Sequence, residues 1–170
     1  MKKILIFGIG LIGGSIALKI KQKKLFDHII GVGRSGGTSL TSYVSNGMLD
    51  VAIDKASEEI ASTDLIIIAT PVAQTKKILA DIYPFINDKS VITDVGSTKS
   101  DVMAAAKESL KEKFNQFIGS HPIAGSEKHG ASAANSQLFE NKDIIITPHD
   151  KSLDSTITVS YTHLTLPTKA

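Results

Sequence analysis

The chain alternates short apolar runs rich in Ile and Val with longer segments of helical spacing. The runs are "KILIFG" (residues 3–8), "HIIGVG" (28–33), "DLIIIAT" (64–70), "SVITDVG" (90–96) and "DIIITP" (143–148). Each is apolar throughout, the pattern of a strand covered on both faces, so all five are expected as buried parallel strands. "MLDVAI" near residue 50 and "QFIGS" (116–120) carry shorter forms of the same signal. Between the runs, Leu11 to Lys24, Val72 to Phe85 and Lys99 to Phe114 have helical length, with Ile78, Leu79, Ile82 and Phe85 falling on one face. The first of these segments ends in Lys19, Lys21, Lys23 and Lys24, expected as a solvated cluster suited to a helix C-terminus. Strand, helix, strand repetition of this kind predicts an α/β fold, a Rossmann-type doubly wound and mostly parallel sheet. Ligands of such sheets bind at the carboxyl ends of the strands. "ASAANSQ" (131–137) is a small-residue stretch, read as a helix that packs closely on its neighbour.

Gly8, Gly10 and Gly13 form G-x-G-x-x-G directly after the first strand and at the mouth of the first helix. In that position Gly8 permits the tight turn, Gly10 lets a pyrophosphate approach the backbone, and Gly13 lets helix and sheet pack closely. The helix N-terminus, with Leu11 and Ile12 in its first turn, then faces the phosphates. Dinucleotide binding is the expected role. An acidic residue closing the second strand would hold a ribose 2′-hydroxyl and mark NAD. Here Gly33 takes that place and Arg34 and Ser35 follow, while Asp27 precedes the strand at the wrong end of the sheet. A guanidinium beside a hydroxyl suits a 2′-phosphate, which favours NADP over NAD. The alternative is that Arg34 stacks on the adenine or faces solvent.

Composition narrows the classes. At 170 residues the chain holds one ordinary domain, and its 42% of hydrophobic residues is that of a globular protein. Lys plus Arg number 19 against 17 for Asp plus Glu, and no basic block stands out, so nucleic acid is not an expected partner. Without cysteine there are no disulfides, thiolate metal sites or cysteine nucleophiles, which fits a cytoplasmic setting; no metal site is expected. The start "MKKILIFGIGLIGGSIAL" imitates a secretory leader, but its glycines and the following "KIKQKK" assign it to the fold, and no membrane span is expected.

Three further segments are predicted at the same sheet edge: Thr70 and Pro71 after "IIIA", Ser97 in "DVGSTKS", and His121 in "IGSHPIAGSEKHG". Thr70 and Pro71 join the expected cofactor site. Ser97 reads equally as a turn residue or a functional hydroxyl, and Thr98 as a cap for the next helix. His121 is expected on a loop fixed by Pro122 and freed by Gly119 and Gly125, where side chains are presented rather than buried. A neutral imidazole is a competent proton acceptor near neutral pH.

Taken together, "GIGLIGGS", "ATPV", "TDVGSTKS", "GSHPIAGSEKHG" and "LFENKDIIITP" resemble the nucleotide-binding half of the prephenate/arogenate dehydrogenases, in order from Met1 to about Pro148. The resemblance implies NAD(P)-dependent oxidative decarboxylation of prephenate or arogenate toward tyrosine. It implies that His121 accepts a hydrogen bond or proton from the ring hydroxyl, that Ser97 helps to hold both, and that Glu127 lies at the substrate entrance. Family members continue into a helical domain that forms a homodimer and supplies groups for the substrate carboxylates; it is absent here, so these residues alone are expected to be inactive. Residues 1–150 are thus expected to form the dinucleotide-binding domain and 151–170 a truncated or non-native tail, with "SYTHLTLPTKA" resembling foreign sequence. The rival functions are a β-hydroxyacid dehydrogenase or imine reductase, and a non-catalytic dinucleotide-binding module.

Overall fold

A seven-stranded sheet forms the centre of the computed structural model, which describes residues 2–33, 40–125, 127, 130–150 and 152. The strands are β1 (Lys3–Phe7), β2 (His28–Val32), β3 (Val51–Ile53), β4 (Leu65–Ile68), β5 (Val91–Asp94), β6 (Phe117–Pro122) and β7 (Ile144–Thr147). Their order is β3-β2-β1-β4-β5-β6-β7. Strands β1 to β6 are parallel, so the chain winds outward in both directions from β1 and β4. The helices are α1 (Leu11–Lys23), α2 (Thr41–Ser45), α3 (Thr75–Ile82) and α4 (Lys99–Leu110).

Alternation along the strands feeds two cores. Leu5 and Phe7 of β1 join Ile66, Ile68 and Ile92 under α3 and α4, where Leu79, Val102 and Leu110 are buried. Ile4 and Ile6 face the other way, joining Ile29, Leu65 and Ile67 with Ile16 and Ile20 of α1. Both faces of the central strands are therefore dry, which accounts for the unbroken apolar runs.

Several expected elements differ in detail. The segment from Val72 to Phe85 divides into a 3-10 turn, α3, and a second 3-10 turn holding Pro84, because proline has no N–H to continue the helix. The last long helix stops at Leu110, where Lys111 adopts a φ of +50°. The strand from "DIIITP" is antiparallel to β6, pairing His121 with Ile145, and it lies on the sheet edge with Ile145 exposed rather than buried. Residues 131–133 form a 3-10 turn and not a full helix, although the expected close packing is present: a Cβ on Gly14 would stand 2.9 Å from that of Ala134. His149 stacks on Phe114 with ring centroids 3.9 Å apart and donates from Nε2 to the Phe117 carbonyl at 3.0 Å, tying the β7 exit to β6.

Lys19 is not part of a solvated cluster. It is buried, and its ammonium meets Glu140 at 2.7 Å, while the amide of Asn135 donates to Ser15 Oγ at 2.9 Å. With Phe139 in the core, these contacts fasten the segment that follows the histidine motif onto α1. Glu140 is half exposed, so the bridge should contribute modestly. Glu140→Gln is expected to lower unfolding free energy by about 1 kcal/mol, read as an earlier urea midpoint; an unchanged midpoint would reduce the pair to a contact without energetic weight.

Candidate active site

The turn after β1 is shaped by two steric demands. Gly8 has a φ of +87°, and a Cβ there would lie 2.7 Å from the Ala69 carbonyl oxygen. A Cβ on Gly13 would come within 2.1 Å of the Gly8 carbonyl oxygen. Helix α1 can therefore begin close against β1 and β4 only with glycine at both places. Gly10 is different: it occupies the N-cap of α1, and a Cβ on it would meet nothing within 4 Å. The first-turn amides of α1 follow directly, and a helix N-terminus with room beside it is the arrangement that accepts phosphate oxygens.

A cleft of about 1280 Å³ opens here, lined by Gly8, Gly10, Gly33, Asp54, Thr70 and Pro71 among others. It exceeds the ~300–1,000 Å³ usual for small-ligand pockets, and it lies between β1 and β4, where the winding of the sheet reverses. Thr70 Oγ1 is buried in its wall without a hydrogen-bond partner among the described residues, a polar atom left for a ligand to satisfy. Open space at Gly10, helix amides and an unpaired hydroxyl together fit a dinucleotide. Leu11, Ile12 and Gly13 build the helix start and do not line the cleft.

Gly33, the residue after β2, lines the cleft, whereas Arg34 and Ser35 lie outside the described residues. Asp54 and Lys55 at the end of β3 were not foreseen. The Gly33 amide donates to Ile53 at 3.3 Å, which places Asp54 beside the end of β2. The short run "MLDVAI", read as a strand, was the signal that its two following residues reach the ligand edge.

The second group of residues belongs to β5 and β6. His121 is the next-to-last residue of strand β6 rather than part of a loop, because β7 pairs with it. Its side chain is half-buried, and Nδ1 lies 3.2 Å from the Val95 carbonyl. A carbonyl can only accept, so Nδ1 carries the hydrogen and Nε2 of the neutral ring is the acceptor. Ser97 and Glu127 are exposed, and no hydrogen bond joins Ser97 to His121 among the described residues. Thr98 stands at the N-cap of α4 without a side-chain capping bond. A Cβ on Gly96 would lie 2.8 Å from Val72 Cγ2, so the turn holding Val95 abuts the Thr70–Pro71 wall of the cleft. The histidine and the cleft thus share one edge of the sheet.

Beneath His121 is a buried polar cluster. Asp94, 1% exposed, accepts from the Gly96 amide at 2.7 Å and the Ser120 amide at 3.2 Å, and pairs with the Lys99 ammonium. Lys99 also donates to the Ser120 carbonyl at 2.6 Å. Burial pulls the Lys99 pKa below its ordinary value, opposed by the hydrogen bond and charge of Asp94.

Comparison with known proteins agrees with this architecture. Residues 16–165 match the family described as prephenate dehydrogenase, nucleotide-binding domain. The chain is 41% identical over 150 residues to the prephenate dehydrogenase of Bacillus subtilis (strain 168), covering 88% of this chain and 40% of that protein. Among solved structures, prephenate dehydrogenase from A. aeolicus, in complex with hydroxyphenyl propionate and NAD+, superposes with a TM-score of 0.85 at 26% identity, over 96% of this chain and 56% of that one. Synechocystis arogenate dehydrogenase gives 0.83 at 26% identity, over 95% and 55%. The chain spans about two-fifths of the length of the Bacillus relative. Fold, glycine turn and family match agree: the chain belongs to the nucleotide-binding domain family of the prephenate dehydrogenases.

Proposed function

We propose that this domain binds NAD(P) in the β1/β4 cleft and, within a complete enzyme, supplies the proton-accepting histidine for oxidative decarboxylation of prephenate or arogenate. The observation that carries the reading is the Nδ1 bond of His121 to Val95, which sets Nε2 as a proton acceptor at the cleft edge. The bound dinucleotide supplies the acceptor for the hydrogen and electron pair that leave the ring carbon. Nε2 of His121 takes the proton of the hydroxyl on that carbon as its carbonyl forms, and Ser97 orients the same hydroxyl. The ring carboxylate leaves as carbon dioxide, its bonding electrons pass through the ring to the carbonyl oxygen as the ring becomes aromatic, and the resulting phenolate oxygen takes the proton back from Nε2 of His121, so little further chemistry is asked of the protein. Glu127, exposed after the strand, guards the substrate entrance. A homodimer built through the remaining chain would complete the carboxylate site.

For the cofactor, the sequence after β2 supports NADP through Arg34 and Ser35, with Gly8, Gly10, Thr70 and Pro71 lining the cleft and Leu11, Ile12 and Gly13 building the helix start whose amides would meet the phosphates. Asp54 supports the second reading, NAD, since it lines the cleft with Gly33 and a carboxylate suits a ribose hydroxyl better than a phosphate. Calorimetric titration of the 170-residue chain with each dinucleotide decides between them. Under the first reading Arg34→Ala lowers NADP affinity by about tenfold and leaves NAD affinity unchanged; equal losses would remove Arg34 from the 2′-phosphate site. Turnover is measured with prephenate and arogenate after the domain is joined to the remaining chain of the Bacillus relative. Binding without turnover on either substrate would support the non-catalytic module instead.

A further inference from the structure

Lys99 is the first residue of α4, where a positive charge opposes the helix dipole, and only 17% of its side chain is exposed. Both circumstances disfavour an ammonium, so its place calls for compensation. The aliphatic stem passes beneath β6: its Cδ would be 3.3 Å from a Cβ on Gly119, so the glycine before Ser120 leaves it room. The ammonium ends between the Asp94 carboxylate and the Ser120 carbonyl.

Two peptide planes meet at this pair. The Ser120 carbonyl held by Lys99 belongs to the same rigid unit as the His121 amide, so fixing one fixes the direction in which the His121 side chain leaves the backbone. The Val95 carbonyl that accepts from His121 belongs to the unit carrying the Gly96 amide, and that amide donates to Asp94. Ser120 is further held by its own amide on Asp94 and by Thr93 Oγ1, which lies 3.2 Å from Ser120 Oγ. One buried ion pair therefore restrains both the histidine and the acceptor that selects its tautomer.

We propose that Lys99, through Asp94, is a positioning residue that locks His121 into the tautomer with hydrogen on Nδ1 and the acceptor lone pair on Nε2. This rests on the reading of His121 as proton acceptor for its significance, but not for its test. Neither member of the pair lines the cleft, and the pair has no part in proton transfer. Its work is to remove the alternative tautomer, in which Nε2 would carry the hydrogen and accept nothing.

The test is nitrogen NMR of the imidazole in the 170-residue chain, without substrate or dinucleotide, above the ordinary imidazole titration range. The unchanged protein should show two well-separated ring-nitrogen resonances, protonated Nδ1 and unprotonated Nε2. In Lys99→Met their separation should collapse or reverse as the other tautomer is populated. Because this variant strands the Asp94 carboxylate, Asp94→Asn/Lys99→Met is measured beside it; removing both charges is tolerated better than removing one. Ser90→Ala, which deletes a buried hydroxyl bond at the opposite end of β5, controls for general loosening and should leave the separation intact. A double variant that folds and keeps the original signature would overturn the proposal, as would an equal collapse in Ser90→Ala. Loss of the signature in the double variant, with turnover undiminished once that variant is joined to the remaining chain of the Bacillus relative, would uphold the positioning role while rejecting the catalytic reading.

Discussion

His121→Ala, placed in a complete enzyme, should lower turnover by about 10²–10⁴-fold, the range for loss of a positioned general base, while dinucleotide affinity stays unchanged. The separation follows from geometry: His121 belongs to β6 and does not line the cleft, whereas the phosphate-accepting amides belong to α1. Stability should fall by only about 1 kcal/mol, because among the described residues the half-buried ring makes one hydrogen bond, of 3.2 Å to Val95. Steady-state kinetics with calorimetry on the same variant reads both quantities. A parallel collapse of cofactor binding would make the imidazole a structural part of the β5–β6 edge, and retention of most turnover would move the proton to another acceptor.

That edge shows where residue patterns sufficed and where they did not. The central strands β1, β2, β4 and β5 were legible because burial on both faces leaves unbroken apolar runs, and the glycine turn because its spacing is dictated by a steric contact of strand and helix. The direction of β7 was not, since an edge strand of "IIIT" has the same letters whether parallel or antiparallel. That pairing also turns the expected histidine loop into strand. Lys19 reads as a surface charge and Lys99 only as a helix start, yet Lys19 is buried against Glu140, remote in sequence, and Lys99 is mostly buried against Asp94 across a turn. A lysine opening a helix, against its dipole, was the one local hint that Lys99 had a partner. Ser97 follows β5 and His121 stands next to the end of β6, but among the described residues no hydrogen bond joins them, and their relation to a hydroxyl substrate depends on groups contributed by the ligand itself.

Gly10 and Gly13 are separated by less than one helical turn and should respond to substitution in opposite ways. A Cβ on Gly10 enters open space at the N-cap, so Gly10→Val should fold with a near-normal unfolding midpoint but lose dinucleotide affinity by at least about 100-fold, the equivalent of some 3 kcal/mol, because the branched side chain stands where phosphate oxygens approach the helix amides. A Cβ on Gly13 is driven to 2.1 Å from the Gly8 carbonyl, a backbone atom that cannot swing aside as a flexible side chain would. Gly13→Ala should therefore cost about 3 kcal/mol or more of stability, by forcing α1 away from β1, with binding lost only as the fold is lost. Urea denaturation and calorimetric titration of both variants separate the outcomes. If Gly10→Val binds normally, phosphates do not cross the α1 N-terminus and the cleft serves another ligand; if Gly13→Ala is as stable as the parent, the packing of α1 on the sheet is looser than the contact distance requires. The expected pair of results assigns one glycine to the ligand and the other to the fold, a division that the G-x-G-x-x-G spacing names but only the surrounding atoms explain.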